Sequence, residues 1–156
     1  MDDAIDAIGH VPLPPYIKRP DAPLDRDRYQ TTFARRRGSV AAPTAGLHFT
    51  PAILDALAAR GVEQAAITLH VGYGTFKPIR TDDISAHTID AERYDIAEDT
   101  ARTIEHARHA SRRIIAVGTT TTRTLEAVAA RSGGSIVAGS GEADLFITPG
   151  HRFRVV

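Results

Sequence analysis

The sequence predicts an α/β fold, a three-layer α/β/α sandwich on a largely parallel sheet. Three observations carry that expectation. Apolar, β-branched runs such as QAAITLHV (Gln64–Val71) and IIAV (Ile114–Val117) have the length of buried strands. Capped segments with helical periodicity stand between them. The composition, 42% hydrophobic and 24% charged over 156 residues, is that of a globular domain large enough to bury a core.

Taken in order, the chain opens with a helical fragment, Asp2–Ile8, stopped by Gly9 and followed by a segment carrying Pro12, Pro14, Pro15, Pro20 and Pro23. Residues 1–24 therefore read as a helix end and proline-rich linker, and 25–156 as the α/β core domain. That opening suggests more chain upstream in the natural context. Asp25–Arg36 is expected to be helical. Thr50 before Pro51 is a capping hydroxyl ahead of proline at the first helical position, so a helix runs from about 51 to 60 and stops at Gly61. Strands are expected over Gln64–Val71 and Arg93–Ile96. Glu98–Ala110 is an amphipathic helix with acids at its start, Ile114–Val117 a buried strand, and Thr121–Arg131 a helix closed by Ser132-Gly133-Gly134. Short strands at Ser135–Ala138, Leu145–Ile147 and Phe153–Val156 complete the set.

Charge and composition exclude several function classes. Nineteen Lys and Arg balance nineteen Asp and Glu, which argues against indiscriminate nucleic-acid binding while leaving room for a local basic face from Lys18–Arg19, Arg35–Arg37 and Arg112–Arg113. The absence of cysteine removes disulfides, thiolate nucleophiles and Cys-based zinc sites. His106 and His109 stand three apart without a ligand set to complete a site, so no metal is expected. Neither a signal peptide nor an apolar run of membrane length is present, and a cytoplasmic protein with no membrane partner is expected.

Four stretches carry chemistry. In SVAAPTAGLHFTP the start of a helix points back at Thr44, Gly46 and His48, which offer a hydroxyl, close backbone approach and a group that titrates near neutrality. An ordinary loop-to-helix turn would use the same residues. In ITLHVGYGTFKPIR, His70 ends a strand and Gly72 and Gly74 let the backbone approach a ligand before Thr75; Pro78 rules out a dinucleotide fingerprint. In IIAVGTTTTRTLEAV an apolar run passes through Gly118, Thr119 and Thr120 into a helix, an arrangement that suits an anion or ribose oxygen but lacks the lysine of a phosphate-binding loop for nucleoside triphosphates. Arg123 there either forks a carboxylate or pairs with Glu126 on its own helix. EADLFITPGHRF reads as a strand and turn.

Taken together these stretches resemble one family, the S-adenosylmethionine:tRNA ribosyltransferase-isomerases of the queuosine pathway. GHVPLPPYI, DRYQTTFA, SVAAPTAGLHFT, TLHVGYGTFKPI, HTIDAERY, AVGTTTTRTLE and LFITPGHRF follow one another as that family's motifs do, over nearly the whole chain. Tyr73, Thr121 and Thr122 stand where family members often carry other residues. Members are also longer, with an N-terminal segment holding an inserted β-barrel and a C-terminal segment holding an Asn-Phe-His-Leu-Pro motif. The resemblance thus implies the central portion of the enzyme, a truncated form of its α/β domain without the barrel.

The resemblance implies transfer and isomerisation of the ribosyl part of S-adenosylmethionine onto the aminomethyl-deazaguanine base of a tRNA anticodon, giving epoxyqueuosine. It implies His48 and His70 as proton-transfer groups, with Glu92 as a third candidate, and no metal, because the sulfonium supplies the electrophilic charge. Gly118, Thr119, Thr120 and Arg123 would hold the methionine carboxylate or ribose, and Gly72, Gly74 and Thr75 would line the nucleoside. S-adenosylmethionine and tRNA are the implied partners, alongside a homo-oligomer or a second protein that supplies the missing segments. A non-catalytic nucleoside-binding or interaction module derived from that enzyme stays open. A small phosphate-handling hydrolase has only the Gly-Thr helix start in its favour.

Overall fold

A computed structural model describes residues 8–78, 81–84 and 87–156. Its helices are α1 (Asp25–Arg28), α2 (Pro51–Ala59), α3 (Glu98–His109) and α4 (Thr119–Arg131). Two 3-10 turns, Thr44–His48 and Tyr73–Phe76, separate β1 (Thr68–His70) from its flanks, and β2 (Glu92–Ile96) and β3 (Gly139–Ala143) follow. The helical fragment expected at Asp2–Ile8 lies, Ile8 apart, outside the described residues.

The sheet departs from the expected parallel sandwich. It has three antiparallel strands in the order β1-β2-β3, with His70 opposite Arg93 and Arg93 opposite Glu142. Along β2, Glu92 and Ile96 are buried while Arg93 is exposed, the alternation of a strand with one wet face. Of the run Gln64–Val71 only Thr68–His70 enters the sheet. Among the described residues the expected strands at Ile114–Val117, Ser135–Ala138, Leu145–Ile147 and Phe153–Val156 make no ladder. Several of their apolar residues still reach the core: Ile67, Ile114, Ala116 and Val155 pack against Ile96, Ala101, Ile104, Leu125, Val128, Ala129 and Ile136. Apolar length predicts burial well, but burial can be satisfied by extended connections that pair with nothing.

Helix α3 follows its sequence closely. Glu98 and Asp99 occupy the first turn, His106, Arg108 and His109 the last, and the buried pair Ala101 and Ile104 repeats at helical spacing. Helix α4 begins two residues before the expected Thr121, because Gly118, at φ 97°, turns the chain directly into Thr119. Seven consecutive residues, Arg123–Ala129, are buried, so α4 is the central element. By contrast the expected helix Asp25–Arg36 stops at Arg28. Beyond Tyr29 the β-branched pair Thr31 and Thr32 enters a turn, and the buried Thr31 packs on Gly46 instead of continuing a helical face.

The proline-rich segment is held in place. Asp21 accepts the Val11 N–H at 2.9 Å and contacts His10, and Asp25 accepts both arms of Arg19 and the Ala22 N–H at 2.7 to 2.8 Å. Pro14 is fully buried.

Candidate functional site

Backbone pairing brings the first two chemical stretches together. Val40 N–H donates to the Val71 carbonyl at 2.8 Å, and the Ser39 hydroxyl both donates to the Leu69 carbonyl and accepts the Val71 N–H, each at 3.1 Å. Residues 42–44 therefore lie beside 71–76. The third stretch closes on them at Gly118, where a Cβ would sit 4.0 Å from Ala45.

Between these segments is a cavity of about 170 Å³. Thr44, Thr75, Thr119 and Thr120 contribute to its lining, so all three expected loops meet there. The glycines do different jobs. Gly74 passes hard against Asp90, where a Cβ would lie 2.5 Å from Oδ2, and Gly46 is buried against Thr31. Gly72 caps the Tyr73–Phe76 turn. Val71, Pro43 and Ala42 supply apolar wall.

The remaining wall was not legible from residue type. Pro14 and Tyr16 come from the segment read as a linker, and Tyr29 from the residue after α1. The Tyr29 hydroxyl is sealed from solvent and makes no hydrogen bond of normal geometry, although the Ala42 backbone N–H approaches its oxygen. Burial pushes its pKa above the usual tyrosine value, the Ala42 N–H opposing. A sequence signal did exist: both tyrosines stand in the motifs PLPPYI and DRYQTTFA.

The proposed acid–base residues are dispersed. His48 ends the turn that starts at Thr44 and is exposed. His70 lies one residue before Val71, and extended neighbours face opposite ways. It therefore lines a different groove, of about 460 Å³, across the wet face of the sheet with Arg36, Arg93, Asp95 and Glu142. Glu92 turns inward and pairs with Arg123, their side chains 5% and 10% exposed. Arg123 thus meets neither Glu126 nor the cavity. Glu126 instead accepts the N–H groups of Arg154, Val155 and Val156 at 2.8 to 3.1 Å. Among the described residues no group of three His, Cys, Asp or Glu is placed to hold a metal, and no helix is long and apolar enough to cross a membrane.

A family model described as "Queuosine biosynthesis protein" matches residues 1–156. The chain belongs to this family. It is 56% identical over 156 residues to the S-adenosylmethionine:tRNA ribosyltransferase-isomerase of Syntrophotalea carbinolica, covering 100% of this chain and 45% of that protein. The similarly named protein of Citrifermentans bemidjiense is 55% identical over 152 residues, 97% of this chain and 44% of the relative. That of an Anaeromyxobacter species is 53% identical over 156 residues. The chain spans less than half the length of these curated relatives.

Proposed function

We propose that this chain forms part of an S-adenosylmethionine:tRNA ribosyltransferase-isomerase and holds S-adenosylmethionine, as substrate, at the cavity between Thr44, Thr75, Thr119 and Thr120. One observation supports the reading: four threonines from three separated motifs line one pocket. The reaction moves the ribosyl group to the aminomethyl-deazaguanine base of a tRNA anticodon, yields epoxyqueuosine, and releases methionine and adenine. A sulfonium acidifies the adjacent C5′–H, and adenine needs a proton to leave, so a group with a pKa near neutrality serves. His48 shares the turn that carries Thr44 into the pocket, which makes it our first choice for that task. His70 and Glu92 face elsewhere in this chain, and that dispersal favours a second reading, a nucleoside-binding module without catalysis.

Transfer through a reactive intermediate needs a water-poor site with groups fixed to within about half an ångström. The chain alone is therefore expected to bind without turning over. The test incubates it with S-adenosylmethionine and tRNA carrying the aminomethyl-deazaguanine base, and follows adenine release and the modified nucleoside. Calorimetry with S-adenosylhomocysteine should give heat at millimolar ligand while the turnover assay stays blank. Turnover would defeat the expectation of inactivity, and its loss in His48→Ala would then identify the proton-transfer group. Absence of heat would remove the pocket assignment.

A further inference from the structure

We propose that the wet face of the sheet docks the backbone of an RNA strand, with phosphates on Arg36 and Arg93 and a ribose 2′-hydroxyl donating to Glu142. The inference rests on the reading that tRNA is the substrate, and assigns the surface that meets it.

Three observations lead there. The first is which basic cluster is left for a partner. In Lys18–Arg19 the guanidinium is closed on Asp25 at 2.7 to 2.8 Å, and in Arg112–Arg113 the first arginine is held by Glu63 at 2.8 Å. Arg35–Arg37 is placed differently. Arg36 reaches over the sheet to within 3.7 Å of Asp95 with its side chain 67% exposed, a contact loose enough for a phosphate oxygen to replace. The backbone that carries it is fixed. Gly38, at φ 136°, lies so close on the His70 ring that a Cβ would collide with Nδ1, and Ser39 and Val40 are hydrogen-bonded along the edge strand β1. His70 thus braces the arginines against the groove.

The second is an unused pair on the ladder. Arg93 and Glu142 are cross-strand partners, both exposed, yet among the described residues neither side chain is engaged in an ion pair or hydrogen bond. A donor fork and an acceptor therefore stand side by side. An RNA backbone presents the complement at every nucleotide, a phosphate that accepts and a 2′-hydroxyl that donates. DNA lacks the second group. An acidic peptide would offer carboxylates alone, and these would meet Asp95 and Glu142 with like charge.

The third is shape and spacing. The groove, about 460 Å³, lies across three strands and is open enough for a chain laid along it. Arg36 stands over Asp95, two residues along β2 from Arg93, roughly 7 Å at the rise of a strand. That is the scale of neighbouring phosphates on one strand.

Fluorescence anisotropy tests the 156-residue chain against an anticodon stem-loop RNA, the same sequence in DNA, and heparin as a polyanion without nucleotides, each over a range of salt. RNA should bind more tightly than DNA. Arg36→Gln and Arg93→Gln should each weaken RNA about threefold to tenfold and lower the salt slope by about 1, whereas Arg113→Gln, outside the groove, should change neither. Glu142→Ala should weaken RNA and not DNA, so that the preference narrows. All four positions are exposed, and calorimetry with S-adenosylhomocysteine should give the same heat in every variant.

RNA binding indifferent to both arginine variants would put the strand on another surface and overturn the proposal, leaving tRNA as the substrate. A chain that binds S-adenosylhomocysteine and no RNA would overturn the docking face while the pocket assignment stands. Heparin bound as tightly as RNA, with Glu142→Ala silent, would defeat the ribose contact and reduce the face to a site for any extended anion.

Discussion

At the scale of single residues, Asp25 shows how one carboxylate holds a loop. Arg19, the Ala22 N–H and the Arg28 charge favour its ionised form over a smaller opposing desolvation, and its pKa falls to about 2. A depressed carboxyl contributes stability above its unfolded value, near 3.9, and loses it as pH falls toward the folded value. Carbon-detected titration should therefore find Asp25 still ionised at about pH 3, with the Arg19 contact released only near pH 2. A midpoint at the ordinary aspartate value would refute the pairing. The buried Glu92–Arg123 pair makes a sharper case. Truncating Glu92 to Ala strands a cation in the core and should cost about 3–5 kcal/mol in denaturant melts. Replacing both residues with methionine should cost less than the single truncation. Equal losses would mean that the charge is not stranded.

Elements differ in how much of them their sequence declares. Helix α2 was legible because its start is written in two residues: the Thr50 hydroxyl accepts the Ile53 N–H at 3.3 Å, and Pro51 has no N–H that needs an acceptor. With none of its residues buried, α2 depends on that cap. Thr50→Ala should cost about 1 kcal/mol and speed amide exchange throughout the helix; unchanged exchange at Ile53 and Leu54 would show the cap to be idle. Strand β3 was illegible for the opposite reason. GSGEA has no strand composition, and Gly141 is there because Tyr94 lies across it, its hydroxyl 2.7 Å from where a Cβ would be. Ile114–Val117 looks far more like a strand, yet pairs with no strand among the described residues, because an apolar run records burial and not the partner that would complete a ladder. The site divides in the same way. Glycine and threonine betrayed its loops, since few residues suit close approach and hydroxyl contact, whereas Pro14 and Tyr29 entered from segments whose local pattern speaks only of a linker and a helix.

For the molecule as a whole, α4 is the hub that joins the sheet to the last residues. Arg123 reaches β2, and three positions on Glu126 takes three successive backbone N–H groups. Glu126→Gln keeps one acceptor but aims an amide donor at other donors, so it should cost about 1–3 kcal/mol and expose the amides of 154–156 to fast exchange. Persisting protection there would place the attachment elsewhere. The cavity extends the same dependence to kinetics. Its walls come from Pro14 and Tyr16, Tyr29, residues 42–44, Val71, Thr75 and Phe76, and residues 119–120, so it does not exist until loops of very different length have all closed. Such a pocket forms late in folding, after the local turns that carry its pieces. A ligand seated in it would then be bound after the rate-limiting ascent, and would slow unfolding while leaving the refolding rate unchanged.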